Sequence, residues 1–321
     1  MTGLVHSAKY LGHQPGAGHP ESPARLDAVL SGIGKAVPAA RLLRIAPRSA
    51  TRSELELCHT ADYLDTVESE IRAGYSQIST GDTNVSSGSW DAALHAAGGV
   101  FEAIDAIMAG RVQNAFCAVR PPGHHASMQR GMGFCLFNNV ALGARYVQQK
   151  YGIERVLIAD WDVHHGNGTQ DIFYTDPSVF FFSTHQWPFY PGTGAASERG
   201  LGKGKGYTLN CPFPRGSGRT EVVGAFQAGL VPAMRHFQPG FVLISAGFDG
   251  RASDPIGQFV LTDADFAELT RIVLQIAADY AGSRLVSVLE GGYSLAGLAS
   301  ACGAHVSELA AAGTNVMPEK H

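Results

Sequence analysis

Two carboxylates and two histidines crowd the stretch Ile158–Gly168, which reads I-A-D-W-D-V-H-H-G-N-G. The apolar run Val156–Ala159 leads into it and is typical of a buried strand, and the glycines after it are typical of a loop. Alternate residues of a strand share a face, so Asp160, Asp162 and His164 would point the same way. Because two buried acids side by side are costly unless a cation or a proton offsets them, we predict a metal site here.

Three other groups of polar residues also come after apolar runs. His124 and His125 lie in R-P-P-G-H-H-A, Asp249 in A-G-F-D-G, and Tyr293 in E-G-G-Y. Taken singly each is weak, since a His pair after a Pro-Pro turn is more often surface or capping and an Asp after a strand is commonly a turn residue. Parallel strands deliver their carboxyl ends to one edge of a sheet, where sites form in open α/β folds. The joint occurrence at successive strand ends therefore favours one shared site.

These residue types suit metal-assisted hydrolysis. Two carboxylates and one imidazole fit Zn²⁺ or Fe²⁺ better than Mg²⁺ or Ca²⁺, which rarely use histidine. Three protein ligands leave a coordination position for water, whose pKa the metal lowers toward ~7. A neighbouring histidine could move the proton to a leaving amine. A phenol in reach could donate to the oxyanion of a tetrahedral intermediate.

Strand and helix signals alternate along all 321 residues, without an internal repeat or a linker, which indicates one doubly wound α/β domain. The predicted strands are Leu42–Ala46, Ala115–Val119, Val156–Ala159, Val179–Ser183, Tyr207–Cys211, Phe241–Ser245 and Leu285–Leu289. The main predicted helices are Thr51–Glu70, Asp91–Met108, Val140–Lys150, Glu221–Phe237, Thr262–Tyr280 and Leu295–Ala311. We expect a single domain over 1–321, with a flexible tail from about 312 to 321.

The composition indicates which partners and which compartment to expect. A hydrophobic fraction of 45% allows a large core, and a net charge of −4 offers no basic surface for nucleic acid or an anionic membrane. Five scattered cysteines without a CxxC pair fit reduced thiols in a cytoplasm. No leader-like segment begins the chain and no run looks long enough to span a bilayer, so we expect a cytoplasmic protein. The loop G-L-G-K-G-K-G lacks the spacing of a phosphate-binding loop.

The motifs R-P-P-G-H-H-A, D-W-D-V-H-H-G-N-G-T, S-A-G-F-D-G and E-G-G-Y, in this order, resemble those of the zinc-dependent histone deacetylase family. That superfamily includes acetylpolyamine amidohydrolases and, more distantly, arginases. The likeness covers about Gly16 to Ala311 and its combined motifs are highly specific. It implies an arginase-like α/β fold with a central eight-stranded, mostly parallel sheet flanked by helices, and an active site at the carboxyl ends of the strands.

By position, the resemblance implies a catalytic set of metal ligands and acid–base groups. The Zn²⁺ ligands, with Fe²⁺ as an alternative, would be Asp162, His164 and Asp249. His125 would be the general base and acid, and His124 its electrostatic companion, oriented by Asp160. Tyr293 matches the transition-state tyrosine. Asn167 stands where class I enzymes carry Asp, and an Asn at this position is the class II pattern. His125 is therefore expected to be less basic than its counterpart in class I.

The resemblance also implies substrate contacts. Phe134 and Tyr190 would wall an acyl-lysine tunnel, Gly133 would add a backbone contact, and Asp82 would grip the substrate backbone. Arg25 matches an arginine of the internal acetate-release region. Ile256 occupies a rim position where polyamine-selective relatives carry Glu, so the rim lacks an acid for a second cationic nitrogen. A polyamine substrate is therefore less favoured, but it stays an alternative.

Two structural K⁺ sites are implied as well. The first would use Asp160, Asp162, His164, Ser183 and Thr184, and the second Phe173, Asp176, Val179 and Tyr207.

The main hypothesis is a deacetylase or amidohydrolase that cleaves the amide of N-acetyl-lysine or a similar linear acyl-amine. The first alternative is an acetylpolyamine or other small-amide hydrolase. A catalytically idle acyl-binding module would need no acid–base relay, and a binuclear manganese enzyme of the arginase type would need more carboxylates. We expect a small acyl-amine or acyl-lysine substrate as the partner, and leave a homodimer or homotetramer open.

Overall fold

Eight parallel strands form one sheet in the computed structural model of the protein, which describes residues 1–313. The strand order is β2-β1-β3-β8-β7-β4-β5-β6, and each neighbouring pair is parallel. The strands are β1 (Thr2–Val5), β2 (Leu42–Ile45), β3 (Asn114–Cys117), β4 (Val156–Asp160), β5 (Val179–Gln186), β6 (Thr208–Phe213), β7 (Phe241–Ala246) and β8 (Leu285–Leu289). This confirms the predicted α/β class and its eight-stranded sheet.

Ten α-helices flank the sheet within the described residues. They are α1 (Ala24–Ala36), α2 (Arg52–Leu55), α3 (Ala61–Arg72), α4 (Ser89–Met108), α5 (Asn139–Tyr151), α6 (Asn167–Phe173), α7 (Arg219–Ala225), α8 (Val231–Phe237), α9 (Asp263–Tyr280) and α10 (Leu295–Ala312). A π-helical turn, Phe226–Leu230, joins α7 to α8, and short 3-10 helices occupy Ala8–Gly12, Ala39–Arg41 and Gly202–Gly204.

The buried strands explain why a parallel sheet forms. Every residue of β3, β4, β7 and β8 is buried, and these strands are mainly apolar. Such continuous apolar runs are typical of parallel strands covered by helices on both faces. The four strands lie together at the centre of the sheet in the order β3-β8-β7-β4.

One strand was missed, and one helix prediction was wrong. The sequence gives no strong signal for β1, which is four residues long and contains a glycine, yet it pairs with both β2 and β3. The single helix predicted over Thr51–Glu70 is two helices. Its break comes at Thr60, whose hydroxyl accepts a hydrogen bond from the Tyr63 N–H and so starts α3. Of the expected flexible tail, Ala312 is the last residue of α10, and 314–321 lie outside the described residues.

By length and composition alone α10 could cross a membrane, although no run was expected to be long enough. Half of this helix is buried inside the fold, where it packs against α1 and α9. Its apolar character is therefore that of a core helix.

Helices α1 and α10 approach each other closely at a glycine. A Cβ added at Gly32 would lie 2.6 Å from the carbonyl carbon of Ala299 and even closer to its oxygen. Since both contact atoms are backbone, the two helices cannot keep this separation with a larger residue.

We therefore expect Gly32→Ala to lower the free energy of unfolding by about 1–3 kcal/mol through overpacking. Gly34→Ala is the matched control, because an added Cβ there meets no atom within 4 Å. Removing that glycine from an exposed helical position should instead stabilise by about 0.5–1 kcal/mol. Chemical denaturation of both variants measures the difference. Equal midpoints would contradict the close helix approach.

Candidate active site

The four central strands deliver the predicted site residues to one edge of the sheet. In sheet order, β3 is followed in the chain by His124 and His125, β8 by Tyr293, β7 by Asp249, and β4 ends at Asp160, just before Asp162 and His164. Neighbouring strand ends are adjacent in space, so residues far apart in the chain share one site.

Asp162, His164 and Asp249 form a buried group whose ligand atoms all lie within 4.8 Å of one another. His164 Nδ1 is 3.0 Å from Asp162 Oδ1 and 3.2 Å from Asp249 Oδ2. Backbone N–H groups hold the outer carboxylate oxygens: Gly291 donates to Asp162 Oδ2 (2.8 Å) and Val163 to Asp249 Oδ1 (2.9 Å). Each carboxylate therefore keeps an oxygen directed toward the others.

This group fits a divalent cation. Asp249 Oδ2 is buried and makes no hydrogen bond, which is costly for an ionised oxygen. Burial and the charge of Asp162 raise the pKa of Asp249 to about 7. Burial opposes charge on His164, yet the two carboxylates raise its pKa to about 9. The two carboxylates thus favour a positive charge in this pocket, and its two oxygens and one nitrogen are donors that Zn²⁺ or Fe²⁺ accepts.

The two histidines of R-P-P-G-H-H-A are held in different charge states. Burial opposes the charge of His124, but the carboxylates of Asp160 and Asp162 raise its pKa to about 10. Its Nδ1 lies 2.9 Å from Asp160 Oδ2. Burial and the charges of His124 and His164 lower the pKa of His125 well below its usual value. One imidazole is therefore cationic and its neighbour, 4.0 Å away between ring centres, is neutral.

Asn167 fixes the tautomer of His125. The His125 Nδ1 lies 2.7 Å from the Asn167 Oδ1, an amide oxygen that can only accept. The proton is thus on Nδ1, and Nε2 keeps its lone pair. Asn167 is the first residue of α6, and its amide nitrogen faces the sulfur of Met132 at 3.4 Å.

A cavity of about 330 Å³ opens onto His125 and His164. Its lining residues are Asp82, His125, Gly133, Phe134, His164, Phe189, Tyr190, Ile256 and Tyr293. Five of the six residues predicted to contact substrate are among them, the exception being Arg25. The Phe134 ring packs edge-on against Tyr293 at 5.9 Å, and the Tyr190 ring lies perpendicular to that of His125 at 5.3 Å.

Phe189 lines the cavity and was not predicted. Its ring stacks on the imidazole of His164, with 5.2 Å between centres and 17° between planes. The sequence W-P-F-Y-P-G-T-G offers two adjacent aromatic residues, and the resemblance singled out Tyr190 alone. Both contribute to the wall.

Asp82 bridges two loops of the cavity. Its Oδ1 accepts from the Gly133 N–H (2.8 Å), and its Oδ2 from the Tyr190 hydroxyl (3.0 Å). Gly133 has a φ of +56°, and a Cβ there would collide with the ring of His125. Only glycine therefore fits between the histidine and this loop.

Arg25 is buried behind Tyr293. Its Nε donates to the Gly292 carbonyl (2.7 Å) and its Nη2 to that of Glu290 (2.5 Å), and its guanidinium lies 5.0 Å from the centre of the Tyr293 ring. Glu21, which also pairs with the buried Arg120, accepts from its Nη1 at 3.0 Å. Burial raises the pKa of Tyr293 well above its usual value, so the phenol keeps its proton.

Glu290 of E-G-G-Y is a buried support that sequence reasoning missed. Its Oε2 accepts from the N–H groups of Gly123 (2.7 Å) and His124 (3.2 Å), and its Oε1 from the Ser245 hydroxyl (3.0 Å). These hydrogen bonds of Glu290 connect the segments at the ends of β3, β7 and β8. An acid directly after a buried strand is the signal that could have marked it.

The residues of the two predicted K⁺ sites occupy the β4–β5–β6 side of the sheet. In the first set, Ser183 pairs in register with Asp160, and the buried Thr184 hydroxyl has no hydrogen-bond partner. In the second, Asp176 pairs with Arg145 at 2.7 Å. Phe173 ends α6, Val179 begins β5, and the Tyr207 carbonyl accepts from Phe181 N–H. Ion binding at both stays a prediction.

The comparisons with known proteins all point to the same family. Residues 19–309 match the model of the histone deacetylase domain. A probable deacetylase of Archaeoglobus fulgidus is 41% identical over 92% of this chain and 82% of its own length. Histone deacetylase 15 of Arabidopsis thaliana is 42% identical over 95% of this chain and 55% of its own. The human polyamine deacetylase HDAC10 is 40% identical over 87% of this chain and 43% of its own.

The fold agrees with this assignment. The crystal structure of the HDA15 HD domain superposes with a TM-score of 0.90 at 40% identity, covering 97% of this chain and 89% of that one. The chain spans about half the length of the plant and human relatives, and most of the archaeal one. The matched domain, the relatives and the fold together show that the chain belongs to the histone deacetylase family, as a hydrolase of amide bonds other than peptide bonds.

Proposed function

We propose that the chain is a zinc-dependent deacetylase that hydrolyses the amide of N-acetyl-lysine or a similar linear acyl-amine. One observation carries the proposal: His164 of the Asp162–His164–Asp249 group lines the same cavity as His125 and Tyr293. A ligand set, a proton acceptor and a phenolic donor thus face one narrow space. Fe²⁺ could replace Zn²⁺ on the same donors.

When bound, the ion would supply Lewis-acid chemistry and lower the pKa of water. The chain's own groups would handle protons and charge. The free Nε2 of the neutral His125 can accept a proton and return it to the leaving amine. The cationic His124 stabilises negative charge beside it, and the protonated phenol of Tyr293 can donate to the acyl oxygen as it becomes negative.

The cavity favours a linear substrate. Its walls are the aromatic rings of Phe134, Phe189 and Tyr190, which suit a methylene chain. A volume of about 330 Å³ is at the small end for ligand sites, enough for an acyl-lysine side chain. The K⁺ sites named above would serve structural roles.

A polyamine substrate is the second candidate, because the relatives include the human polyamine deacetylase. Ile256 at the cavity argues against it, since an apolar side chain gives no attraction to a second cationic amine. A binding module would not need a proton relay. A binuclear manganese site would need further carboxylates, and within residues 1–313 one metal-binding group is found.

Activity of the zinc-loaded protein tests the proposal directly. We expect turnover of a fluorogenic N-acetyl-lysine coumarin amide, abolished by a hydroxamate chelator, and slower turnover of N-acetylputrescine under the same conditions. A preference for acetylputrescine would favour the polyamine candidate. Absence of turnover on both, with zinc bound, would contradict the proposal.

Tyr293→Phe should reduce kcat by roughly two to three orders of magnitude, the cost of removing an oxyanion donor, while the zinc content stays at the wild-type level. Asp249→Ala is the matched contrast, because removing a ligand should lose metal and activity together. Metal analysis alongside steady-state kinetics separates the two. If Tyr293→Phe also lost the metal, the donor role given to Tyr293 would be wrong.

Ile256→Glu should raise kcat/KM for N-acetylspermidine by roughly fivefold, since an exposed ion pair is worth about 1 kcal/mol. Ile256→Gln is the control, because glutamine has the size of glutamate without its charge. It should leave kcat/KM for N-acetylspermidine near that of wild type. The ratio of kcat/KM for the two substrate classes is the measurement. A similar gain for the Gln variant would show that rim charge does not select the substrate.

A further inference from the structure

One carboxylate outside the cavity lining, that of Asp254, joins two segments of the site. Its Oδ1 accepts from the N–H groups of Ile256 (2.9 Å) and Gly257 (3.1 Å). Its Oδ2 accepts from the N–H groups of Tyr293 (2.8 Å) and Ser294 (3.1 Å). All four donors are backbone groups, and two of them lie 39 and 40 residues further along the chain.

The local pair of bonds is ordinary, since an Asp commonly accepts from backbone groups two and three residues on. The remote pair is not needed for such a turn. It binds the backbone of Tyr293 and of Ser294, whose hydroxyl in turn accepts from Gly297 at the start of α10. Asp254 therefore anchors the loop after β8 to the segment that carries Ile256.

Both anchored segments contribute a side chain to the cavity. Ile256 and Tyr293 line it together, while Arg25 holds the Tyr293 loop from behind through the carbonyl of Gly292. The Tyr293 N–H and the Gly292 carbonyl are thus fixed by different side chains. Without Asp254, the Gly292 carbonyl would remain held by Arg25, and the N–H groups of Tyr293 and Ser294 would lose the acceptor that fixes them.

We infer that Asp254 is a positioning residue that fixes the Tyr293 phenol relative to the rim at Ile256. The inference rests on the proposed function, in which Tyr293 donates to the acyl oxygen. A displacement of about 1 Å in such a donor can cost up to roughly 100-fold in rate. Asp254 would act on kcat through Tyr293 and touch neither substrate nor metal.

A double-mutant cycle tests the inference. In Asp254→Asn, one oxygen becomes an NH₂ group that opposes two of the four N–H donors. We expect kcat on the N-acetyl-lysine coumarin amide to fall roughly 10- to 100-fold with zinc content unchanged. In a Tyr293→Phe background the same substitution should cost less than about threefold, because the donor it positions is already gone. Asp65→Asn, an exposed carboxylate paired with Arg52 on the surface, is the control and should match wild type.

Equal losses in the two backgrounds, or no loss in the wild-type background, would overturn the inference. Hydrogen exchange by mass spectrometry gives a reading that needs no activity. Asp254→Asn should speed exchange in peptides covering both 254–257 and 291–297, whereas faster exchange in 254–257 alone would mark a local turn residue and refute the link. A wild-type protein without deacetylase activity would refute the proposed function, and the exchange result would still decide the link.

Discussion

The confinement of two buried carboxylates, Asp162 and Asp249, against one imidazole is the constraint on which the site depends. Burial disfavours each charge, and their mutual repulsion adds to the cost. The glycine at 291 allows the backbone to approach both carboxylates closely. A Cβ at Gly291 would lie 2.6 Å from Asp162 Oδ2 and closer still to Asp249. The Gly291 N–H bonds Asp162 there instead. The two buried carboxylates are a reason for this pocket to attract a cation.

Further ionisable side chains surround that group. The cationic His124 lies next to Asp162 and pairs with Asp160, and Glu290 accepts from its backbone N–H. Further out, the Glu21 carboxylate is shared by two buried arginines. Because His124 and Asp160 are both buried and paired, removing one of them leaves the other without its partner, which is costlier than losing a surface ion pair. The neutral state of His125 results from this arrangement, since cationic neighbours and burial both disfavour its protonation.

Local chemistry was readable from the sequence and long-range support was not. The ligand group and the histidine pair stand in short motifs after apolar strands, so their types and spacing predicted their convergence. The order of strands, which makes β3, β8, β7 and β4 neighbours, leaves no trace in any local pattern. For the same reason nothing in the sequence marked Asp254, since its partners at Tyr293 and Ser294 are remote. The missed strand β1 is short, and its pairing with two neighbours decides its structure.

We therefore expect the rim of the cavity to decide between the two classes of substrate. Acetyl-lysine and acetylated polyamines present the same amide and methylene chain, so the inner groups of the proposed site, His125, Tyr293 and the metal-ligand group, would treat them alike. The substrates differ at the far end of that methylene chain, which carries a peptide backbone in one case and a second cationic amine in the other. Asp82, whose oxygens bridge Gly133 and Tyr190, and the apolar Ile256 are the rim side chains able to sense that difference. Both oxygens of Asp82 already accept hydrogen bonds within the rim, and the apolar Ile256 adds no partner for a second amine. That is the physical reason for favouring acyl-lysine.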